Sequence, residues 1–174
     1  MKKTTLRRLG AIVGTLAVAA GVAACGDDGP GTHTVTAADY RFENLPATVE
    51  SGATLELVNS SSVELHELVA VRLPDSEQRS VDDLIRLPEA EIEALFTGPP
   101  AMVLLRAPGG DQIAAVGDGK LTERGRYLIL CAIPIGADPD AYIQAAQASG
   151  DGPPDVPGGA PHFTQGMYGQ IIVQ

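Results

Sequence analysis

The chain has 174 residues, enough for one domain around a single hydrophobic core. Hydrophobic residues make up 44% and charged residues 20%, too apolar for a disordered chain, and 20 Gly with 13 Pro assign much of it to turns and loops. The formal charge is -10, every acid lies at or beyond Asp27, and a basic nucleic-acid-binding domain is excluded.

Residues 1–8 carry Lys2, Lys3, Arg7 and Arg8, and residues 9–24 are apolar or small apart from Thr15. That run is short for a membrane span and suits the apolar stretch of an export signal. It ends in Val22-Ala23-Ala24-Cys25, which resembles the lipobox of bacterial lipoproteins. The resemblance implies cleavage after residue 24, lipid on Cys25, and anchoring at the outer face of the cytoplasmic membrane. Residues 1–24 are then a signal peptide, 25–32 a lipidated tether and 33–174 the domain. The plainer alternative is an ordinary signal peptide or a buried helix. Lipid on Cys25 leaves Cys131 as the one remaining thiol, with no disulfide partner in the chain. A buried, inert cysteine fits that count, and so does a metal ligand or nucleophile.

Beyond the tether the pattern predicts short strands. Residues 34–42 form the first, and the alternation ATLELVN predicts a second over 53–59. A polar turn, Asn59-Ser60-Ser61-Ser62, leads into a strand over 63–73 that is partly apolar on both faces. Parity there leaves the direction of His66 open. Residues 80–96 read as helix, opened by Ser80-x-x-Asp83 and restarted at Pro88. Strands follow over 102–106 and 125–131, the latter with Tyr127, Ile129 and Cys131 on one face. Residues 138–149 read as a short helix, 150–161 as a Pro/Gly-rich loop, and 168–173 as the last strand. About seven strands with turn signals predict an antiparallel sandwich or barrel with helical insertions.

His66, Cys131, His162 and Met167 together offer two imidazoles, a thiol and a thioether. That is the donor set of a type 1 copper site: a trigonal His2Cys plane with a weak axial Met. Each residue alone has an ordinary reading: a surface His66, a solvated His162, a core Met167. The order His66…Cys131…His162-x4-Met167 is similar to that of the cupredoxins, the blue copper family. So are Asp39-Tyr40-Arg41-Phe42, Val49-x-x-Gly52, Leu55-x-Leu57-Val58-Asn59 and Gly125-Arg126-Tyr127-x-x-x-Cys131.

The resemblance implies a cupredoxin-like antiparallel Greek-key β-sandwich binding one type 1 copper. Equatorial ligands are then His66, Cys131 and His162, the axial ligand is Met167, and Asn59 supports the ligand loop. It implies a monomer that passes single electrons to a redox partner with a basic docking surface, and no enzyme. Copper delivery without electron transfer, and a metal-free interaction module, are the alternatives. A Cys131/His162 nucleophilic enzyme leaves His66 and Met167 without a role. Three His are too few for a multicopper oxidase, and His33, near the tether, is assigned no role.

Two departures stand out. Cys131 and His162 are 31 positions apart, where small members of the family separate them by a few residues. The insertion is expected to fold over the metal as a lid, with a mobile Pro/Gly half, and to move docking away from the usual exposed His edge. Residue 67 is Glu where small cupredoxins often carry Asn.

Overall fold

The computed structural model describes residues 30–95, 98–148 and 154–174. The expected leader, Cys25 and most of the tether lie outside the described residues, as do Phe96 and residues 149–153 of the long insertion. The elements run in chain order β1 (Thr32–Ala38), β2 (Arg41–Glu43), β3 (Thr48–Val49), β4 (Ala53–Asn59), β5 (His66–Arg72), α1 (Val81–Leu84), α2 (Glu89–Glu93), β6 (Met102–Arg106), β7 (Gln112–Val116), β8 (Lys120–Leu121), β9 (Gly125–Leu130), α3 (Pro139–Ala148) and β10 (Tyr168–Val173). A 3-10 turn covers His162–Gln165. No helix among the described residues is long and apolar enough to cross a membrane.

The strands form a two-sheet sandwich with orders β2-β1-β4-β8 and β3-β10-β9-β5-β6-β7. In the larger sheet β5, β6 and β7 are successive antiparallel neighbours, and β9 returns to lie beside β5. That is the Greek-key order. The sheets are mixed, which corrects the expectation of a purely antiparallel sandwich. β1 pairs with β4 in parallel, and β3 with β10 in parallel. After β2 folds back on β1, the chain crosses to the other sheet as β3 and re-enters the first in its original direction.

Alternation explains the core. In β4, Ala53, Leu55 and Leu57 are buried while Glu56 faces solvent. They pack with Val35, Leu68, Leu104, Tyr127, Ile129 and Ile171 between the sheets. Each large apolar side chain fully buried there contributes about 1.5–3 kcal/mol. β9 is apolar on both faces for a reason: Leu128 and Leu130 point outward into a second cluster with Leu73 and Leu84, under α1. The Tyr127 hydroxyl donates to the Glu123 carbonyl at 2.8 Å, pinning the turn that enters β9.

Several boundaries differ from the predicted ones. The strand expected over 34–42 is a hairpin, because Tyr40 adopts φ 60° and turns β1 back into β2. β1 begins at Thr32, one residue inside the segment read as tether. The helical stretch over 80–96 is two short helices with the restart at Pro88 as expected, except that Pro88 caps α2 instead of opening it. β3 and β8 span two residues each, too short to show a period, and β7 is an edge strand of mixed polarity.

Candidate metal centre

Two strands and the long insertion deliver the donors to one end of the sandwich. His66 opens β5 on the same face as Leu68 and Ala70, which lie in the main core. That settles the direction that parity left open. Cys131 follows β9 and continues the inward face of Tyr127 and Ile129, as the alternation predicts. β9 lies against β5, so the Glu67 N–H donates to Cys131 Sγ at 3.4 Å.

His162 reaches the same place through the long insertion, whose two ends are zipped together. The His162 N–H donates to the Ile133 carbonyl at 3.0 Å and the Phe163 N–H to the Cys131 carbonyl at 2.8 Å. Further out, the Ile135 N–H donates to the Ala160 carbonyl, the Gly159 N–H to the Ile135 carbonyl, and Pro134 bridges Pro161. Gly158 is required here: a Cβ on it would lie 2.4 Å from the Cβ of Pro134. Thirty-one positions of sequence therefore collapse, in space, to a short hairpin that carries one ligand at each base.

Of the Pro/Gly half expected to be mobile, residues 150–153 lie outside the described residues. Residues 158–161 form one side of the stem. Tyr142 of α3 is buried in the main core with Ile133 and Ala137. Its hydroxyl donates to Glu67 Oε2 at 3.2 Å, and the Ala132 N–H donates to Glu67 Oε1 at 2.8 Å. Glu67 thus ties the first ligand strand, the residue after Cys131 and α3 together. Burial pushes its carboxyl up to about 7, against the two hydrogen bonds that favour its charged form.

His66, Cys131 and His162 each offer one donor atom, all within 4.8 Å of one another, and all three residues are 0% exposed. His162 Nδ1 is 3.4 Å from Cys131 Sγ, and the two imidazole centroids are 5.0 Å apart, tilted by 59°. Burial, with the neighbouring His162 ring, lowers His66 to about 4, and burial lowers His162 too. Both rings are neutral near pH 7 and keep a lone pair free. Burial, with the Glu67 carboxylate behind it, pushes the Cys131 thiol well up, so the thiol proton must leave when a cation binds.

Both ring nitrogens of His66 and Nε2 of His162 are buried without a hydrogen-bond partner. Buried polar atoms are seldom left so; coordination to a metal accounts for His66 Nδ1, while each Nε2 faces a nearby carboxylate. Two imidazoles and one thiol, three converging donors, fit a type 1 copper better than a closed zinc site, which takes four ligands.

Met167 is fully buried in the cluster that holds Cys131, and its carbonyl accepts the Cys131 N–H at 3.1 Å. Gly166, at φ 113°, ends the 3-10 turn and swings the chain into that position. Asn59 braces the loop before His66: its Nδ2 donates to the carbonyls of Glu64 at 2.9 Å and Arg106 at 2.8 Å. Its Oδ1 accepts the Ser61 N–H at 2.8 Å. His33 sits in β1 opposite Leu55, away from these residues. Sequence reasoning missed Glu64 and Tyr142, and gave Asp39 and Tyr40 no role at the site. A Tyr in an otherwise Ala- and Gln-rich helix is the one trace that Tyr142 leaves.

No protein-family model and no curated protein sequence matches the chain. Among solved structures it is similar to dithionite-reduced auracyanin from Roseiflexus castenholzii, at 18% identity over 82% of this chain and 96% of that one, with a TM-score of 0.45. Auracyanin A, a "blue" copper protein from Chloroflexus aurantiacus, matches at 18% identity over 83% of this chain and 100% of its own, with a TM-score of 0.41. Auracyanin B matches at 18% identity over 83% and 88%, with a TM-score of 0.37. At these scores the likeness is loose.

Proposed function

We propose that this chain is an exported, lipid-anchored cupredoxin that carries single electrons through one type 1 copper held by His66, Cys131 and His162, with Met167 as axial ligand. The observation that carries the reading is the convergence of three fully buried donors, with His66 Nδ1 left unpartnered among them. Bound copper supplies a Cu(II)/Cu(I) couple. The residues do the rest. Strands β5 and β9 and the zipped stem hold the donors with little freedom to move, and complete burial excludes water. The Glu67 N–H directed at Cys131 Sγ draws electron density from the thiolate.

The anchor rests on Val22-Ala23-Ala24-Cys25. Asp39, Asp111 and Asp138 are exposed on loops at the ligand-bearing end, which suits a basic redox partner. Copper delivery without electron transfer is the second reading, favoured by the complete burial of all three donors.

One equivalent of Cu(II) added to the purified protein tests the proposal. An intense blue thiolate-to-copper band is expected. Cys131→Ser should abolish it, and Met167→Leu should keep it and raise the potential, because the axial thioether is weak and tunes rather than holds. Equal loss of copper from both variants would contradict the assignment. Binding without colour would favour delivery.

A further inference from the structure

Each histidine of the site has a carboxylate standing behind it. Asp39 Oδ1 lies 3.8 Å from Nε2 of His66, and Glu64 Oε2 lies 3.5 Å from Nε2 of His162. Neither pair makes a hydrogen bond, and both nitrogens are unpartnered. On His162, Nδ1 faces Cys131 Sγ at 3.4 Å, so Nε2 is the outward nitrogen. On His66 the nitrogen toward Asp39 is again Nε2, which leaves Nδ1 for the donor cluster.

The placement is built into the chain. Tyr40 is held at φ 60°, a backbone region a tyrosine seldom occupies. That turn sets Asp39 over His66 and lays Tyr40 edge-on to His162, centroids 5.1 Å apart at 73°. The Gly136 N–H of the insertion donates to Glu64 Oε2 at 3.2 Å, on the side facing His162.

Resting on the copper reading above, we infer that Asp39 and Glu64 are positioning residues, each accepting the Nε2–H of one ligand histidine when Nδ1 holds the metal. A ligating imidazole commonly donates its second N–H to a carboxylate, which fixes the tautomer and raises the basicity of the ligating nitrogen. Two such negative groups favour Cu(II) over Cu(I). Glu64, with 13% of its side chain exposed, acts more strongly than Asp39, which is 62% exposed and screened by solvent.

The test is the reduction potential and Cu(II) affinity of the copper-loaded protein, wild type against Glu64→Gln and Asp39→Asn, with Asp118→Asn at the opposite end as control. Both amides keep an acceptor oxygen and remove the charge. Glu64→Gln should weaken Cu(II) binding about tenfold relative to Cu(I), a rise of about 59 mV for a one-electron couple. Asp39→Asn should give a smaller rise that shrinks as salt increases. Asp39 is 62% exposed and, among the described residues, makes no bond to the stem's paired residues, so its variant keeps the inference testable should Glu64→Gln disturb the stem. If the protein binds copper with the blue band and neither variant shifts the potential beyond the control, the carboxylate role is overturned and the copper reading stands. If the wild type shows no such band, both are overturned.

Discussion

Two long connections interrupt the larger sheet: residues 73–101 between β5 and β6, and residues 131–167 between β9 and β10. The first closes at the end of β5 away from His66, where the Ala101 N–H donates to the Ala70 carbonyl at 2.9 Å. Strand register already brings its ends together, so its interior is free to fold separately. It builds a satellite cluster around Leu84 on the outer face of β9. The second leaves the sheet at one ligand and must bring another back beside it. It does so with a backbone-paired stem and by sinking Tyr142 into the main core. Length is tolerated between strands wherever the sheet fixes the ends. The β9–β10 register fixes the ends of the second as well, Leu130 against Tyr168, so the stem is needed for the ligand inside it, His162.

That contrast can be broken at the stem, with the largest expected effect. Gly158→Val places a side chain against Pro134 and should open the stem, lowering copper affinity about 100-fold or more while both sheets stay folded. Circular dichroism with a copper titration checks it, and unchanged affinity would mean the stem does not place His162. The first insertion should respond the other way. Leu84→Ala removes a fully buried side chain and should cost about 2–5 kcal/mol in chemical unfolding, with copper affinity unchanged.

A smaller effect sharpens the picture of the second insertion. Tyr142→Phe takes one of two hydrogen bonds from the buried Glu67 carboxylate and should destabilise the fold by about 1–3 kcal/mol. Amide exchange should quicken in α3 and not in α1; equal rates in both would deny the tie.

The smallest effect is a pH dependence at the first insertion. Hydrogen bonds from Arg79 lower the Glu77 carboxyl from its ordinary 4.5 to about 2. Because the folded value is depressed, the stabilisation is full above pH 4.5 and is lost as pH falls toward 2. Amide exchange over residues 74–80 should quicken in that window, and Arg79→Ala should remove the dependence. No change in exchange would contradict it.

Much of this was legible in the sequence, for physical reasons. β4, β9 and β10 announce themselves because a half-buried or fully buried strand needs apolar residues at fixed parity. The ligand order could be read because soft and imidazole donors in one sequence are chemically distinctive. The parallel pairings could not, since no local pattern records which strand a two-residue segment such as β3 will meet. Nor could the hairpin at Tyr40, because nothing local marks a tyrosine held at positive φ. The stem was misread for a different reason. Gly158 and Gly159 look like loop composition, whereas they are small because Pro134 and Ile135 pack against them. Glu67 read as a departure from a familiar pattern, and its partner Tyr142 is 75 positions away.

A copper held jointly by His66, Cys131 and His162 has a distinctive coordination shell. X-ray absorption at the copper edge, on protein loaded with a single equivalent, tests it most directly. One short copper–sulfur bond and two copper–nitrogen bonds are expected, with the sulfur bond lost in Cys131→Ser and one nitrogen lost in His66→Ala or His162→Ala. A copper shell of oxygen and nitrogen alone, unaltered by Cys131→Ser, would contradict the account.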